Sequence, residues 1–417
     1  MKPLIAVSLF FALSVQDALS QSALKGVVTN EESRPLASVS VYLNNTSTGT
    51  ITNDSGRFVL RGSFPGKVTL VCSYTGYETE VRQIDQREFS KEIRITLKQK
   101  SEELQGISVS PPDPDGWKKW GAIFTEIFIG NVPTRSNNCK LMNPEVIKFR
   151  MNKNNELIAY SREPLIIMNY ALGYEIRYKL EDFEYDFNTK LTNYSGYALF
   201  SDMGKNHPKA VRRYAQERLE TYRGSLLHFM RSFYRNDLEV QGFEMHSLGL
   251  ISNPEKDRAK LIFSQHKDSI ILVTTGLQIT TLNNGVNNPY IGASTESKID
   301  STDYFRKKLM EPDSVISHQL VTGDSIGFAV DSTIAAMYFP DSLEVSFKLK
   351  EIPNRYRSLS KEHKNETYPV SQFVFRAGGP VYVFSNGYYY KLYDLKITGY
   401  WAWSECMSTR LPYDYSP

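Results

Sequence analysis

Cysteine is scarce in this chain of 417 residues: Cys72, Cys139 and Cys406 are the whole complement. Three thiols close at most one intrachain bridge, which rules out a disulfide-built scaffold. Cys139 and Cys406 would tie the start of the second half to its end if their Cα atoms come within disulfide reach. Cys72 falls on an inward strand position, where a buried free thiol is expected. Long single-sign charge blocks are missing too, and the formal net charge is +3, so nucleic acid is not an expected partner. Past the N-terminal apolar run, no stretch is apolar enough to cross a bilayer as a helix. No nucleotide loop, paired-carboxylate signature or clear metal cluster is visible, so neither a cofactor nor a metal is expected.

What is present begins with an export pattern. Met1-Lys2 precedes an apolar run from Leu4 to Leu13, and Ala18-Leu19-Ser20 places small residues before Gln21. Residues 1–20 therefore read as a secretory signal peptide, with the mature chain starting at Gln21. The apolar run is far short of the roughly 20 residues a spanning helix needs, which argues against an uncleaved anchor. No cysteine follows the cleavage position, which argues against a lipid-anchored start. Length and composition allow two or three globular domains.

Residues 21–98 read as one small β-sandwich. Leu24-Lys25-Gly26-Val27-Val28 is followed by a turn through Asn30 to Leu36, then by alternation through Val39, Val41 and Leu43. Period-two alternation marks half-buried strands. Asn53, Asp54 and Gly56 supply a tight hairpin, after which Phe58 and Leu60 point inward. Further strands run through Val68, Leu70 and Cys72, and from Lys91 through Ile93 and Ile95 to Leu97. The order Gly26-Val27-Val28, Pro35-Leu36, Val39-x-Val41, Gly49-Thr50-x-Thr52-Asn53-x-x-Gly56-x-Phe58 and Ser73-Tyr74-x-Gly76-Tyr77 resembles the carboxypeptidase regulatory-like domain. That resemblance implies a transthyretin-like fold without an active site of its own. It also implies an envelope setting, because the family extends Bacteroidetes envelope proteins such as TonB-dependent receptors and accompanies zinc carboxypeptidases.

Residues 99–116 read as a linker, stiffened by Pro111, Pro112 and Pro114. The remainder, 117–417, reads as a larger α+β domain with a mostly antiparallel sheet. Trp117, Trp120, Phe124, Ile127 and Phe128 recur at helical spacing, with Asp115 as the expected cap. Pro144 to Phe200 reads as strands. Val211, Tyr214, Leu219, Tyr222, Leu226, Met230 and Phe233 form an apolar stripe interrupted at Gly224-Ser225, predicting a kink or two consecutive helices. Beyond Glu239 the pattern is strand-like almost throughout, including a run at 270–273, with hairpins at Asn283-Asn284-Gly285 and Ser385-Asn386-Gly387. The punctuation of this half, such as Tyr222-Arg223-Gly224-Ser225 and Leu411-Pro412-Tyr413-Asp414-Tyr415, resembles Bacteroidetes proteins of the same two-part layout. No activity comes with that resemblance.

Candidate chemistry is thin. His363 and Glu366 have the spacing of two zinc ligands, but no histidine follows to supply the third. Gly323-Asp324-Ser325-Ile326-Gly327 matches Gly-x-Ser-x-Gly, with Asp341 and His363 in hydrolase order. Strand patterns after the serine argue for a surface β-turn instead of a nucleophile elbow. His228 and Arg231 sit three apart near Tyr222 and either line a cleft or serve the core. The C-terminal aromatics, Tyr388, Tyr389, Trp401 and Trp403 among them, offer either a packed sheet or a face for glycan or peptide. The expectation is an exported, periplasmic or outer-membrane-associated protein without catalysis, contacting another envelope protein; glycan or peptide binding and a degenerate hydrolase are the alternatives.

Overall fold

The structure is a computed structural model that describes residues 22–417 except 63–65, 86–87, 90, 101–110, 131, 133–137, 266–300, 341, 360–365, 376–378 and 391–394. The expected signal peptide, the strand at 270–273, the Asn283-Asn284-Gly285 hairpin, Asp341, His363 and most of the linker lie outside the described residues.

The N-terminal module holds β1 (Ser22–Thr29), β2 (Ser40–Leu43), β3 (Gly49–Ile51), β4 (Arg57–Gly62), β5 (Val68–Ser73), β6 (Glu80–Ile84) and β7 (Glu92–Thr96). They form two sheets, ordered β4-β1-β7 and β3-β2-β5-β6. β1 runs antiparallel to β4 and parallel to β7. Alternation decides which side chains go in: Phe58 and Leu60 are buried, while Val59 between them and Arg57 and Arg61 on either side are exposed. Leu24, Val28, Val41, Phe58, Leu70 and Ile93 fill the space between the sheets, each contributing roughly 1.5–3 kcal/mol of burial. Gly26 has a packing reason. A Cβ there would lie 2.5 Å from the Phe58 ring and 2.6 Å from the Ile93 carbonyl, so a side chain would collide with both neighbouring strands of its own sheet. Cys72 is buried and free, as its strand position implied.

Beyond the module come α1 (Gly116–Phe128), β8 (Cys139–Leu141), β9 (Ile147–Met151), β10 (Glu156–Ser161), β11 (Leu165–Asn169), β12 (Tyr174–Asp186) and β13 (Thr192–Asp202). The strands make an antiparallel sheet ordered β8-β11-β12-β10-β9, with β13 also paired to β12. β12 alternates buried and open residues until a bulge between Leu180 and Asp182. Phe124 and Phe128 of α1 meet Phe149, Phe183 and Tyr178 of this sheet, at ring separations of 4.8 to 5.8 Å. The cap differs from expectation. Asp115 precedes α1 but its side chain accepts no capping bond; Asp113 is the organising acid, accepting from the Asp115 backbone N–H at 3.0 Å and pairing with Lys119.

The predicted interruption separates α2 (Val211–Tyr222) from α3 (Leu226–Arg235). Gly224 turns the chain with φ +74°, and Ser225 caps α3 by accepting from His228 N–H at 3.1 Å. Val211, expected on the apolar stripe, is 48% exposed, because α2 begins there after a short 3₁₀ turn and buries only Tyr214, Thr221 and Tyr222.

The remaining elements are β14 (Phe243–Ser252), α4 (Pro254–Gln265), α5 (Ser301–Met310), β15 (Ser314–Val321), α6 (Gly323–Ile326), β16 (Gly327–Ala329), β17 (Ile334–Met337), β18 (Ser342–Phe347), α7 (Asn354–Arg357), β19 (Val370–Phe375), β20 (Val381–Phe384), β21 (Tyr389–Tyr390), β22 (Leu395–Gly399) and α8 (Tyr400–Ser404). Two antiparallel sheets result, β15-β14-β18-β19-β22 and β16-β17-β20-β21. α3 contributes Phe229, Met230 and Phe233 to their shared core beside Phe243, Phe347, Phe373, Val383 and Trp401. The architecture is thus a β-sandwich followed by a larger part with antiparallel sheets and some helices, as the patterning implied.

The region beyond Glu239 is less uniformly extended than expected. α4 starts at Asn253-Pro254, where Asn253 Oδ1 accepts from Lys256 N–H at 3.1 Å; Asn before Pro is a helix-start signal. Gly323–Ile326 is one helical turn instead of a β-turn. The Ser385-Asn386-Gly387 hairpin forms as expected, closed by Gly387 N–H donating to the Phe384 carbonyl at 2.8 Å.

Candidate functional site

Among the described residues, two places bring chemically capable side chains together: the junction between the module and the larger part, and the outer face of the β14–β18 sheet.

At the junction, the loop after β2 runs along β13. Asn45 N–H donates to the Ala198 carbonyl at 2.8 Å, and Phe200 N–H to the Thr46 carbonyl at 2.9 Å. The Asn44 side chain accepts from Ala198 N–H at 3.0 Å. The C-terminal segment crosses the same loop, with Tyr413 N–H donating to the Asn45 carbonyl at 2.7 Å and Asp414 accepting from Ser47. A buried guanidinium fixes that segment. Arg231 donates to the carbonyls of Asn386 at 2.9 Å, Tyr413 at 3.0 Å and Tyr415 at 2.8 Å.

A cavity of about 240 Å³ lies here, lined among others by Asn45, Tyr194, Tyr389, Glu405, Arg410 and Tyr413. Burial pushes the Glu405 carboxyl above the usual range, partly offset by the Leu226 N–H it accepts at 2.8 Å. Burial opposes the charge on Arg410, but Tyr194, Tyr178, Tyr413 and Glu405 together favour it, and the guanidinium is held more firmly protonated. Burial also raises Tyr194 and Tyr389, and Tyr413 to about 12. General acid–base work favours groups poised near the operating pH, and these tyrosines are moved away from it.

His228 is buried, its ring tilted against those of Tyr222 and Phe243 at centroid separations of 4.7 and 4.9 Å. Its Nδ1 accepts from Gly224 N–H at 3.2 Å and its Nε2 lies 3.2 Å from Gln241 Oε1, which fixes a neutral ring protonated at Nε2. Burial lowers its pKa to about 4. Both His228 and Arg231 border a broader cleft with the C-terminal residues, but both ring nitrogens of His228 and Nε and Nη2 of Arg231 are engaged by the protein itself.

The aromatic residues do not form one exposed patch. Trp401 is only 3% exposed, packed 5.2 Å from Phe229 and from Phe373, with its Nε1–H donating to the Gly224 carbonyl at 2.8 Å. Trp403 leans on Tyr356 and Tyr400. Tyr388 stacks on Phe384 and meets Tyr413, while Tyr389 is half-buried against the core that holds Trp401. Of the two readings left open for these four, the burial of Trp401 favours the packed sheet, while Tyr388, Tyr389 and Trp403 are half-buried. Ser325, the serine of Gly-x-Ser-x-Gly, is exposed and its Oγ lies 3.1 Å from Thr322 Oγ1. Cys139 and Cys406 are both buried free thiols, so no bridge joins them; burial raises Cys139 to about 12 and raises Cys406 as well.

The sheet face holds what the sequence concealed. His246 on β14 lies directly across from Glu344 on β18, and His318 on β15 pairs with Leu248 two residues along. Their donor atoms all lie within 4.8 Å of one another. His318 Nε2 is 2.9 Å from Glu344 Oε1, and the two imidazoles stack at 4.1 Å. Glu244 stands beside them, 3.8 Å from His246 Nδ1 and 2.9 Å from Lys348 Nζ. No short-range motif marks these residues, because strand pairing joins positions that share no local spacing.

Residues 24–109 match the CarboxypepD_reg-like domain. The N-terminal sandwich is a module of that family, and the match runs past residue 98, where the sequence pattern alone ended the module. A curated relative is TonB-dependent receptor P39 of Formosa agariphila, 34% identical over 105 residues, which are 25% of this chain and 10% of the receptor. The chain thus spans about a tenth of that relative. Among solved structures, 3-chlorocatechol 1,2-dioxygenase from Rhodococcus opacus 1CP shares 16% identity over 20% of this chain and 62% of its own, with a TM-score of 0.15. A protein of unknown function from Bacteroides fragilis NCTC 9343 shares 10% identity over 90% of this chain and 94% of its own, with a TM-score of 0.16. Scores this low carry no argument about fold. The CarboxypepD_reg-like module and its receptor likeness point to an envelope or exported protein. No helix among the described residues is long and apolar enough to cross a membrane.

Proposed function

We propose that this chain is an exported, envelope-associated protein that acts by protein interaction and not by catalysis. In this reading the CarboxypepD_reg-like module and the larger part meet a partner as one unit. The observation that carries it is the junction itself. The loop after β2 hydrogen-bonds to β13 on one side and to the C-terminal segment on the other, so the module is held in place and is not a free arm.

Further support comes from the chemistry around the junction. Its tyrosines are pushed away from neutral pH, its histidine is held neutral between Gly224 and Gln241, and its arginine is spent on three carbonyls. Such groups hold a structure together; they do not supply a nucleophile with its base. Ile51 and Val59 of the module remain exposed and offer apolar contact area.

The test is cell fractionation followed by photo-crosslinking from a reactive residue placed at Ile51. Recovery in the envelope with a discrete crosslinked protein is the expected result. Recovery in the cytoplasm, or turnover by the purified chain on ester, peptide or glycoside panels, overturns the proposal.

A further inference from the structure

The outer face of the β15-β14-β18 sheet carries two imidazoles and a carboxylate that the interaction reading does not use. Phe243 and Met245 of β14 and Leu343 and Val345 of β18 face the core. His246 and Glu344, the alternate residues, therefore face the other way. His318 joins them from the neighbouring strand. Three adjacent strands thus fix the backbone positions of all three residues, and only their side chains need to adjust.

We propose that His246, His318 and Glu344 bind a divalent first-row transition metal such as zinc. Imidazole nitrogen with one carboxylate is a donor set for these ions, whereas calcium and magnesium take oxygen ligands. Around a tetrahedral zinc at ordinary bond lengths the donors stand roughly 3.3 Å apart; here all lie within 4.8 Å. Closing that gap needs rotation of the rings out of their near-parallel stack, whose interplanar angle is 12°. His318 has room to turn, since its side chain is 52% exposed. Imidazoles bind a metal uncharged, so the Glu344 carboxylate supplies the one negative charge of the donor set, while Glu244 and Lys348 offset each other at 2.9 Å. Glu244 also lies 3.8 Å from His246 Nδ1. A ring turned so that Nε2 holds the metal would leave Nδ1–H for this carboxylate, the outer support that metal-bound histidines usually have. Three protein donors leave at least one coordination position open to water or to a donor from another molecule.

The proposal is tested on the whole chain, purified without a histidine tag, by calorimetric titration with zinc and by the visible absorption of cobalt added in its place. One equivalent of zinc is expected, with a cobalt spectrum of low coordination number. His318→Ala and Glu344→Gln should each weaken zinc binding by about tenfold or more, while His207→Ala, at an exposed histidine elsewhere, leaves it unchanged. His318 is exposed enough that its removal leaves the fold intact, which the melting temperature checks. The proposal is overturned if the wild type binds no zinc, or if His318→Ala and Glu344→Gln bind it as tightly as the wild type.

Discussion

Ser47 and Asp414, 367 residues apart in sequence, are joined by the Ser47 backbone N–H and Oγ donating to the same carboxylate at 2.7 to 2.9 Å. This contact ties the last residues of the chain to the N-terminal module. Asp414→Ala should lower stability by about 1–2 kcal/mol, the scale of hydrogen bonds to a charged acceptor. Asp414→Asn, which keeps one acceptor oxygen, should lose less. Chemical denaturation of the three proteins side by side measures the difference; equal midpoints would remove this contact from the account of the junction.

Arg231 reaches the same segment from the other side. Arg231→Ala leaves the carbonyls of Asn386, Tyr413 and Tyr415 without their donor and should cost about 3 kcal/mol. Arg231→Lys should recover little, because one ammonium cannot reproduce a planar fork of donors. A lysine variant as stable as the wild type would contradict this geometry.

His228 gives the fold an acid sensitivity of known sign. Its folded pKa of about 4 lies below the ordinary 6.5, so the unfolded chain binds the extra proton first. The contribution is complete above about pH 6.5 and declines as pH falls toward 4, by at most about 3 kcal/mol. His228→Gln removes the titrating group, so its deficit against the wild type should narrow across this window. A gap that stays constant from pH 7 to pH 4 would rule out His228 as the source.

Burial that holds Cys72 and Cys139 near 12 and raises Cys406 keeps little thiolate available, and the thiolate is the reactive form. The native chain should resist a thiol reagent at pH 8, and all three cysteines should react once it is denatured. Rapid labelling of the native protein would show that one of them is accessible.

Trp401→Ala should cost about 3–5 kcal/mol through the cavity it leaves among Phe229 and Phe373. Trp401→Phe should cost less, losing the bond to the Gly224 carbonyl and part of the ring area. Thermal melting distinguishes this structural role from a surface one, in which neither substitution would move the midpoint.

Local patterns were legible wherever the physics is local. Alternation placed Phe58 and Leu60 inward, the Gly224-Ser225 interruption marked two helices, and Asn386-Gly387 marked a hairpin. The start of α4 carries the local signal Asn253-Pro254, but the helix it opens has little amphipathic contrast beside its extended neighbours. The aromatics near the C-terminus could not be sorted from sequence. A tryptophan in a strand-rich segment has the same local signal whether it lies on the surface or, like Trp401, inside.

Turn chemistry and hydrophobic period act over a few neighbouring residues, so the N-terminal sandwich, its family likeness and the mix of antiparallel strands and helices beyond it could all be read from local patterns. The meeting of the loop after β2 with β13 and the C-terminal segment, and the shared sheet face of His246, His318 and Glu344, became visible in the folded chain alone. Both depend on which strands pair and in what register. Those choices are set by the burial of whole faces against each other, and residues far apart in the chain carry no local mark of the neighbour they will meet.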